Sequence, residues 1–451
     1  MEHNLKRLYA IFAIVIVIVA VVSFMGGYYS HTSTITSTPQ KITITYFDDL
    51  APSESSFMKN TIIPQFENIY KNITITYIDE SATSIISSIE TLEQAHDVGT
   101  TVIAEDNMVI GELLYGHYLM NLSSIAANME PSSMIPSMKS IVSYELTAFG
   151  GIYFIPLRAN VPLVFYNKTM LSSAGISSPP SNITELMNDG KLLKNKYGQG
   201  EIMFQGHGGA STATELFQWM VQFGGNPLEI NDNGDLKAFA YLDNLSTNGY
   251  FSPNYVHGYW GNYKGLANGA YGILDYQWPY IYSILTSPPY NLTNNTLGLY
   301  PGPAGPSNSD HLIGGDVLAV PSGATHLYAI EQWAHYLLSS QVQREFILNL
   351  SWPAVNLNAY KNLPANVTIV YKAEEAAMAN PVFRPPVPWI TEWNALIDEA
   401  FVKIVEDQAS SSSIQSILNT YHTDMYNYLL STYNSTVAKN YQNGVYTPLY
   451  P

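Results

Sequence analysis

Isoleucine and threonine alternate along KITITYFDD (Lys41–Asp49) and again along NITITYIDE (Asn72–Glu80), and each phrase ends in acids. A period of two over this length predicts half-buried strands. Between them Phe57, Ile62, Ile63, Phe66, Ile69 and Tyr70 recur at near-helical spacing. Ser53 is placed to cap that helix, and Pro64 predicts a bend in it. Strand, helix, strand is the pattern of a βαβ unit with parallel strands. The echo therefore predicts two neighbouring strands of one sheet rather than a duplicated module.

Further short apolar runs predict strands at Thr101–Ala104, Ile152–Pro156 and Leu163–Tyr166, the last two around an Arg158-Ala159-Asn160 corner. Helical spacing follows at Ser181–Lys196, Thr212–Phe223, Leu327–Ser339 and Thr391–Asp407. Strands alternating with helices predict an α/β fold. Ligands of open α/β sheets sit beyond the carboxyl ends of the strands. Asp48, Asp49, Glu105 and Asp106 all fall at such ends, where helix capping is the alternative role.

A different pattern opens the chain. Lys6-Arg7 precedes an uncharged apolar run, Leu8–Met25. As a helix it would be about 27 Å long, enough for a bilayer core. Residues 1–29 therefore read as a signal or membrane anchor with the remainder outside the cell, and residues 30–40 as a Ser/Thr-rich tether. The layout also resembles the pilin-like signals of archaeal binding proteins.

Composition narrows the function. The chain has 451 residues, which predicts more than one core. Net charge is −17, from 36 acids against 19 bases, which argues against a nucleic-acid partner. There is no cysteine, so disulfides, thiolate metal sites and cysteine nucleophiles are excluded. Asn-X-Ser/Thr acceptor sites begin at Asn72, Asn121, Asn167, Asn182, Asn244, Asn291, Asn294, Asn349, Asn366 and Asn434, as expected of a glycosylated extracellular surface. Charged residues are only 12% of the chain, a sparseness that would suit an acidic exterior.

The chemistry concentrates in DYQWPYIYS (Asp275–Ser283), which combines an acid, a tryptophan and three tyrosines. A pyranose ring presents a flat face of C–H bonds and a rim of hydroxyls. A sugar site therefore needs stacking aromatics with carboxylates and amides at the edge. Pro279 suits the first turn of a helix, which puts Trp278 and Tyr280 at its start and leaves Tyr276 and Tyr282 as core candidates. Trp260 in HGYWGNY and Trp352 in LSWPAV are possible second platforms. Arg384 and Trp389 in FRPPVPW either face a cleft or brace it. NDNGD (Asn231–Asp235) hints at a calcium loop but lacks the closing Glu, so a hairpin turn is the expectation. QGHGG (Gln205–Gly209) reads as a bend before a helix. No G-x-S-x-G, H-E-x-x-H, P-loop or His metal spacing is present, and neither cofactor nor metal is expected.

Five phrases in order resemble the extracellular solute-binding proteins of ABC importers, in their sugar-binding, maltose-type branch. They are IIPQFENIYKNITITYI, DVGTTVIAEDNMVIGELLYGHYLMNLS, GGIYFIPLRANVPLVFYNKTMLSSAGISSPPSNITEL, LANGAYGILDYQWPYIYS and YPGPAGPSNSDHLIGGDVLAVPSGA. The third is the most specific, with its aromatic-x-Pro strand, corner, Tyr-Asn-Lys, Ala-Gly-Ile and proline pair. The lipobox cysteine is missing, and the chain past about Ala365 matches loosely.

The resemblance implies two α/β lobes discontinuous in sequence, residues 41–158 with 303–355 and residues 159–302 with 356–451. It implies crossovers near Pro156–Asn160, Tyr300–Pro303 and Pro353–Leu363, and hinge closure on a solute that a membrane permease then receives. The ectodomain is expected to be a monomer. The resemblance also places Asn160, Gly314, Gly315 and Asp316 at the cleft, Tyr280 where relatives stack a tryptophan on sugar, and Arg158 at the hinge. A secreted glycosidase with paired carboxylates, a structural surface protein, and a binder of peptide or ferric ion are the rival readings.

Overall fold

A computed structural model describes residues 41–108, 110–127 and 133–446, except for the side chains of residues 82 and 83. The expected apolar segment Leu8–Met25 lies outside these residues. Among the described residues, no helix is long and apolar enough to cross a membrane.

The two Ile/Thr phrases form parallel neighbours, β1 (Ile42–Asp48) and β2 (Ile73–Asp79), paired residue for residue from Ile42 with Ile73 to Asp48 with Asp79. β3 (Thr101–Asp106) joins the other side of β1 in parallel. β4 (Phe154–Pro156) closes the sheet through a later strand, β10 (Asp316–Ala319), giving the sheet order β2-β1-β3-β10-β4. A second sheet, β6-β7-β5-β8, is built from β5 (Leu163–Asn167), β6 (Ile202–Met203), β7 (Ile273–Gln277) and β8 (Leu297–Tyr300). β9 (His311–Ile313) pairs with β11 (Pro381–Phe383), while β10 (Asp316–Ala319) runs antiparallel between β3 and β4.

Burial explains the patterning. The edge strand β2 is only partly covered, with Ile73 buried and Tyr77 half-buried. The inner strands are covered on both faces. Ile44, Tyr46, Val102, Ala104 and Leu318 join one apolar cluster, while Phe47, Ile103, Val317 and Ala319 join another. This is the doubly covered sheet of an α/β fold.

Two local expectations are corrected. Ala51, not Ser53, is the N-cap of the helix Pro52–Phe57; its backbone N–H is taken by Glu54. Ser53 lies inside the first turn. NDNGD is not a hairpin: Asp232 caps the helix Asn233–Thr247, accepting from the N–H groups of Gly234 and Asp235. A capping Asp and a hairpin Asp-Gly look alike until the next fifteen residues choose a period. Around Pro64 the expected irregularity takes the form of a π turn, Met58–Ile62, leading into the helix Ile63–Ile69. Proline lacks the N–H of the regular ladder, and a widened turn accommodates the loss.

The chain passes between the sheets three times. It leaves β4 for β5 through residues 157–162. It leaves β8 at Tyr300 and re-enters the five-stranded sheet only at Asp316, with β9 on the way. The last passage connects the helix Ser340–Leu350, packed on the Ile44 side of the first sheet, to the helix Ala365–Ala377 beside β5 and β8. Three connectors between two discontinuous lobes define a type II periplasmic-binding-protein architecture.

Candidate functional site

A cavity of about 420 Å³ lies between the lobes, within the usual range of small-molecule sites. Its two walls differ in chemistry. The five-stranded lobe supplies Asp49, Glu54, Glu105, Asp106, Arg158 and Asp316. The other lobe supplies Tyr259, Trp260, Tyr263, Trp278 and Tyr280, with Ala210 and Thr214 beside them. Asn160 lines the cavity from the first connector.

The charged wall follows from the topology. Asp49 and Asp106 stand at the carboxyl ends of the parallel strands β1 and β3. β10 is antiparallel and begins opposite Asp106, so Asp316 arrives at the same edge. Arg158 follows β4 and reaches back. Its Nη2 lies 2.6 Å from Asp316 Oδ2, its Nη1 is 3.5 Å from Glu54 Oε1, and its guanidinium sits 4.3 Å over the Trp352 ring. Trp352 Nε1–H donates to Glu54. One guanidinium thus clasps a residue at the end of the second connector, another at the start of the third, and lies itself in the first. Its backbone carbonyl would clash with any Cβ on Gly315, whose φ is +118°; a side chain there would push the first two connectors apart.

Burial dominates the electrostatics. Burial works against the Arg158 charge, but Asp316, Glu54 and Asp48 outweigh it and raise its pKa. Burial pushes Asp316 up to about 7 in spite of the arginine. Burial likewise raises Glu54, against the pull of Arg158, and raises Asp48 well above the usual range, with Asp316 adding to it. Glu105 is raised well above the usual range by burial and then by Asp316.

The aromatic wall grows from β7. DYQWPYIYS divides by position: Asp275, Tyr276 and Tyr282 are buried, whereas Trp278 and Tyr280 line the cavity. Pro279 lies in the turn just before the helix Ile281–Thr286, and Tyr280 is its N-cap. Trp260 faces Trp278 with ring centroids 5.9 Å apart and planes at 34°. Gln277 Nε2 donates to the Trp260 carbonyl at 3.3 Å, tying that loop to the strand. Beneath, Asp275 accepts from Trp219 Nε1–H at 3.0 Å and neighbours Glu215; burial raises both carboxyls, Asp275 to about 6.

Of the residues picked out in the sequence, Asp49, Glu105, Asp106, Arg158, Asn160, Trp260, Trp278, Tyr280 and Asp316 are brought together around the cavity. Five others stand behind it. Asp48 is fully buried and accepts from the Tyr46 hydroxyl at 2.7 Å. Trp352 is a core residue under Arg158, not a platform. Gly314 makes room for Trp278, whose ring would lie 2.7 Å from a Cβ there. Gly315 makes room for the hinge backbone. Arg384 is buried and braces the wall, with Nη2 2.8 Å from Asp106 Oδ1 and Nη1 3.2 Å from Thr214 Oγ1. The sequence reading missed Glu54, Tyr259 and Tyr263 as lining residues. The two tyrosines flank Trp260 in HGYWGNY, so the aromatic density that marked DYQWPYIYS also marked them. Glu54 looks like any acid in a first helical turn. Among the described residues no group of His, Cys, Asp and Glu has the arrangement of a metal site.

The pattern of the family described as bacterial extracellular solute-binding protein matches residues 51–344. The chain belongs to that family. Its fold is shared with maltose-bound MalE3 of T. maritima, at TM-score 0.73 and 19% identity over 85% of this chain and 99% of that one. It is also shared with the GacH receptor of Streptomyces glaucescens GLA.O, solved unliganded and with acarbose, at TM-score 0.72 and 20% identity over 87% and 99%. An ABC transporter solute-binding protein of Thermotoga lettingae bound to α-D-tagatose matches at TM-score 0.70 and 17% identity over 84% and 99%.

Proposed function

We propose that this protein captures a sugar between its lobes and delivers it to the permease of an ABC importer. The observation that carries the reading is the pairing of walls: aromatic rings on one side of the cavity and hydrogen-bonding carboxyls on the other. Apolar ring faces match the C–H face of a pyranose, and carboxyls match its hydroxyl rim. The ligands in the similar structures support it. Trp278, Trp260 and Tyr280 are the stacking candidates; Asp49, Asp106, Asn160 and Asp316 are the rim candidates. Closure proceeds about the three connectors that Arg158 clasps. Leu8–Met25 exports or anchors the chain outside the cell, and the exposed sequons, Asn121, Asn244 and Asn349 among them, carry glycans. The ectodomain acts as a monomer and performs no reaction.

Titration of neutral mono- to trisaccharides into the purified protein, followed by tryptophan fluorescence and by chromatography of the sugar, tests the proposal. Saturable quenching with the sugar recovered intact is expected. Accumulation of monosaccharide would establish a glycosidase instead, and silence across a broad panel would remove the sugar.

A further inference from the structure

The charged wall is unbalanced in a way that bears on which sugar fits. Asp49, Glu54, Glu105, Asp106 and Asp316 line the cavity, and Arg158 is the basic residue among the lining side chains. The terminal nitrogens of the nearby arginines are already engaged, Arg158 with Asp316 and Glu54, and Arg384 with Asp106. An anionic sugar would therefore meet carboxyls and no available guanidinium.

Glu105 supplies an independent observation. It is only 3% exposed yet lines the cavity. Its Oε1 accepts from the Asp106 backbone N–H at 2.7 Å, whereas its Oε2 is buried without a hydrogen-bond partner. A buried polar atom left unpaired is costly, so a ligand donor reaching Oε2 would gain more there than at a solvated rim. The charged neighbours that act on Glu105 are Asp316, Asp106 and Asp49, all acids. A hydroxyl would fill one lone pair; an ammonium would fill it and also pair with the charge of an ionised Glu105. The ring faces of Trp260 and Trp278 on the facing wall attract a cation in the same way.

Resting on the sugar reading above, we propose that the cleft selects an amino sugar in its protonated form and that Glu105 is the specificity-determining counter-ion. Burial and the neighbouring acids favour the protonated form of Glu105 in the empty site. An ammonium favours its carboxylate, and a proton so displaced leaves to solvent. The other charged groups lining the cavity are Glu54 on the first helix and Arg158 after β4, while Arg384 lies behind Asp106 and Asp48 is turned to Tyr46.

The test is calorimetric titration of the full chain at pH 6 with D-glucosamine and its di- and trisaccharides, the N-acetylated counterparts, and glucuronic acid. The glucosamine forms are expected to bind at least about tenfold more tightly than the N-acetyl forms. Repeated in buffers of different ionisation enthalpy, their binding should release protons while neutral sugars release none. Glu105→Gln should erase the preference for the glucosamine forms and the proton release. The wild-type measurements decide the matter even if that variant does not fold. Neutral sugars binding as tightly as amines, without proton release, would overturn the inference and leave sugar capture intact. Failure of every sugar would remove both.

Discussion

The two walls of the cavity are built by opposite means. On the five-stranded lobe, charged side chains converge on one guanidinium, each depending on the others for compensation. On the other lobe, aromatic rings stack on a strand end and loop, each contributing its own contact area. Networks of buried charge couple their members strongly, whereas apolar contacts lose energy roughly ring by ring. Substitutions on the first wall should therefore propagate to the hinge and the fold; those on the second should act mainly on the ligand.

The largest effect is expected from Arg158→Met. It leaves Glu54 and Asp316 buried without their cation, a loss of about 3–5 kcal/mol in urea denaturation at pH 8. The loss should shrink at pH 5, where Asp316, pushed up to about 7, is protonated. A loss below about 1 kcal/mol would show that the clasp does not hold the connectors. Next, Trp278→Ala or Tyr280→Ala should weaken sugar binding by about 1–3 kcal/mol, read by calorimetry. Unchanged affinity in both removes them from the site and ends the contrast between the walls.

The third prediction concerns pH. Asp316 at about 7 and Glu145 and Glu374 at about 8 lie above the ordinary carboxylate range, chiefly because of burial. Between roughly pH 4 and 8 the folded chain then holds more protons than the unfolded one. The stability these groups contribute is complete below their unfolded values and is lost as pH rises through the folded ones. The urea midpoint should therefore be higher at pH 5 than at pH 8. A midpoint that falls on acidification over this range contradicts that reading. The smallest effect is expected from Tyr259→Ala. That ring is 53% exposed, so its removal should change stability by no more than about 0.5 kcal/mol while lowering affinity. A larger loss of stability would mean that this wall is as interdependent as the other.

Much of this arrangement is legible along the chain because it is periodic or dense. The Ile/Thr alternation in β1 and β2 marks strands, and Asp49 just past β1 marks the sheet edge that borders the cavity. DYQWPYIYS marks the aromatic wall by crowding alone. What stays hidden is orientation. Asp48 and Asp49 are adjacent and chemically alike, yet the pleat turns one inward to Tyr46 and the other toward the cavity. Trp352 and Trp260 are both tryptophans beside a small residue, and it takes the tertiary structure, which lays Arg158 on the Trp352 ring, to put one in the core and the other at the cavity.

The sequence by itself determined the α/β alternation, the parallel pairing of β1 with β2, and the residue types of both walls, since these depend on near-neighbour spacing. The tertiary structure alone decided that Arg158, Glu54, Asp316 and Trp352 would meet, and that Glu105 Oε2 would be buried beside the cavity without a hydrogen-bond partner. Contacts between residues hundreds of positions apart follow from strand order and chain crossings, and charge pairing over such distances leaves no periodic trace in the chain.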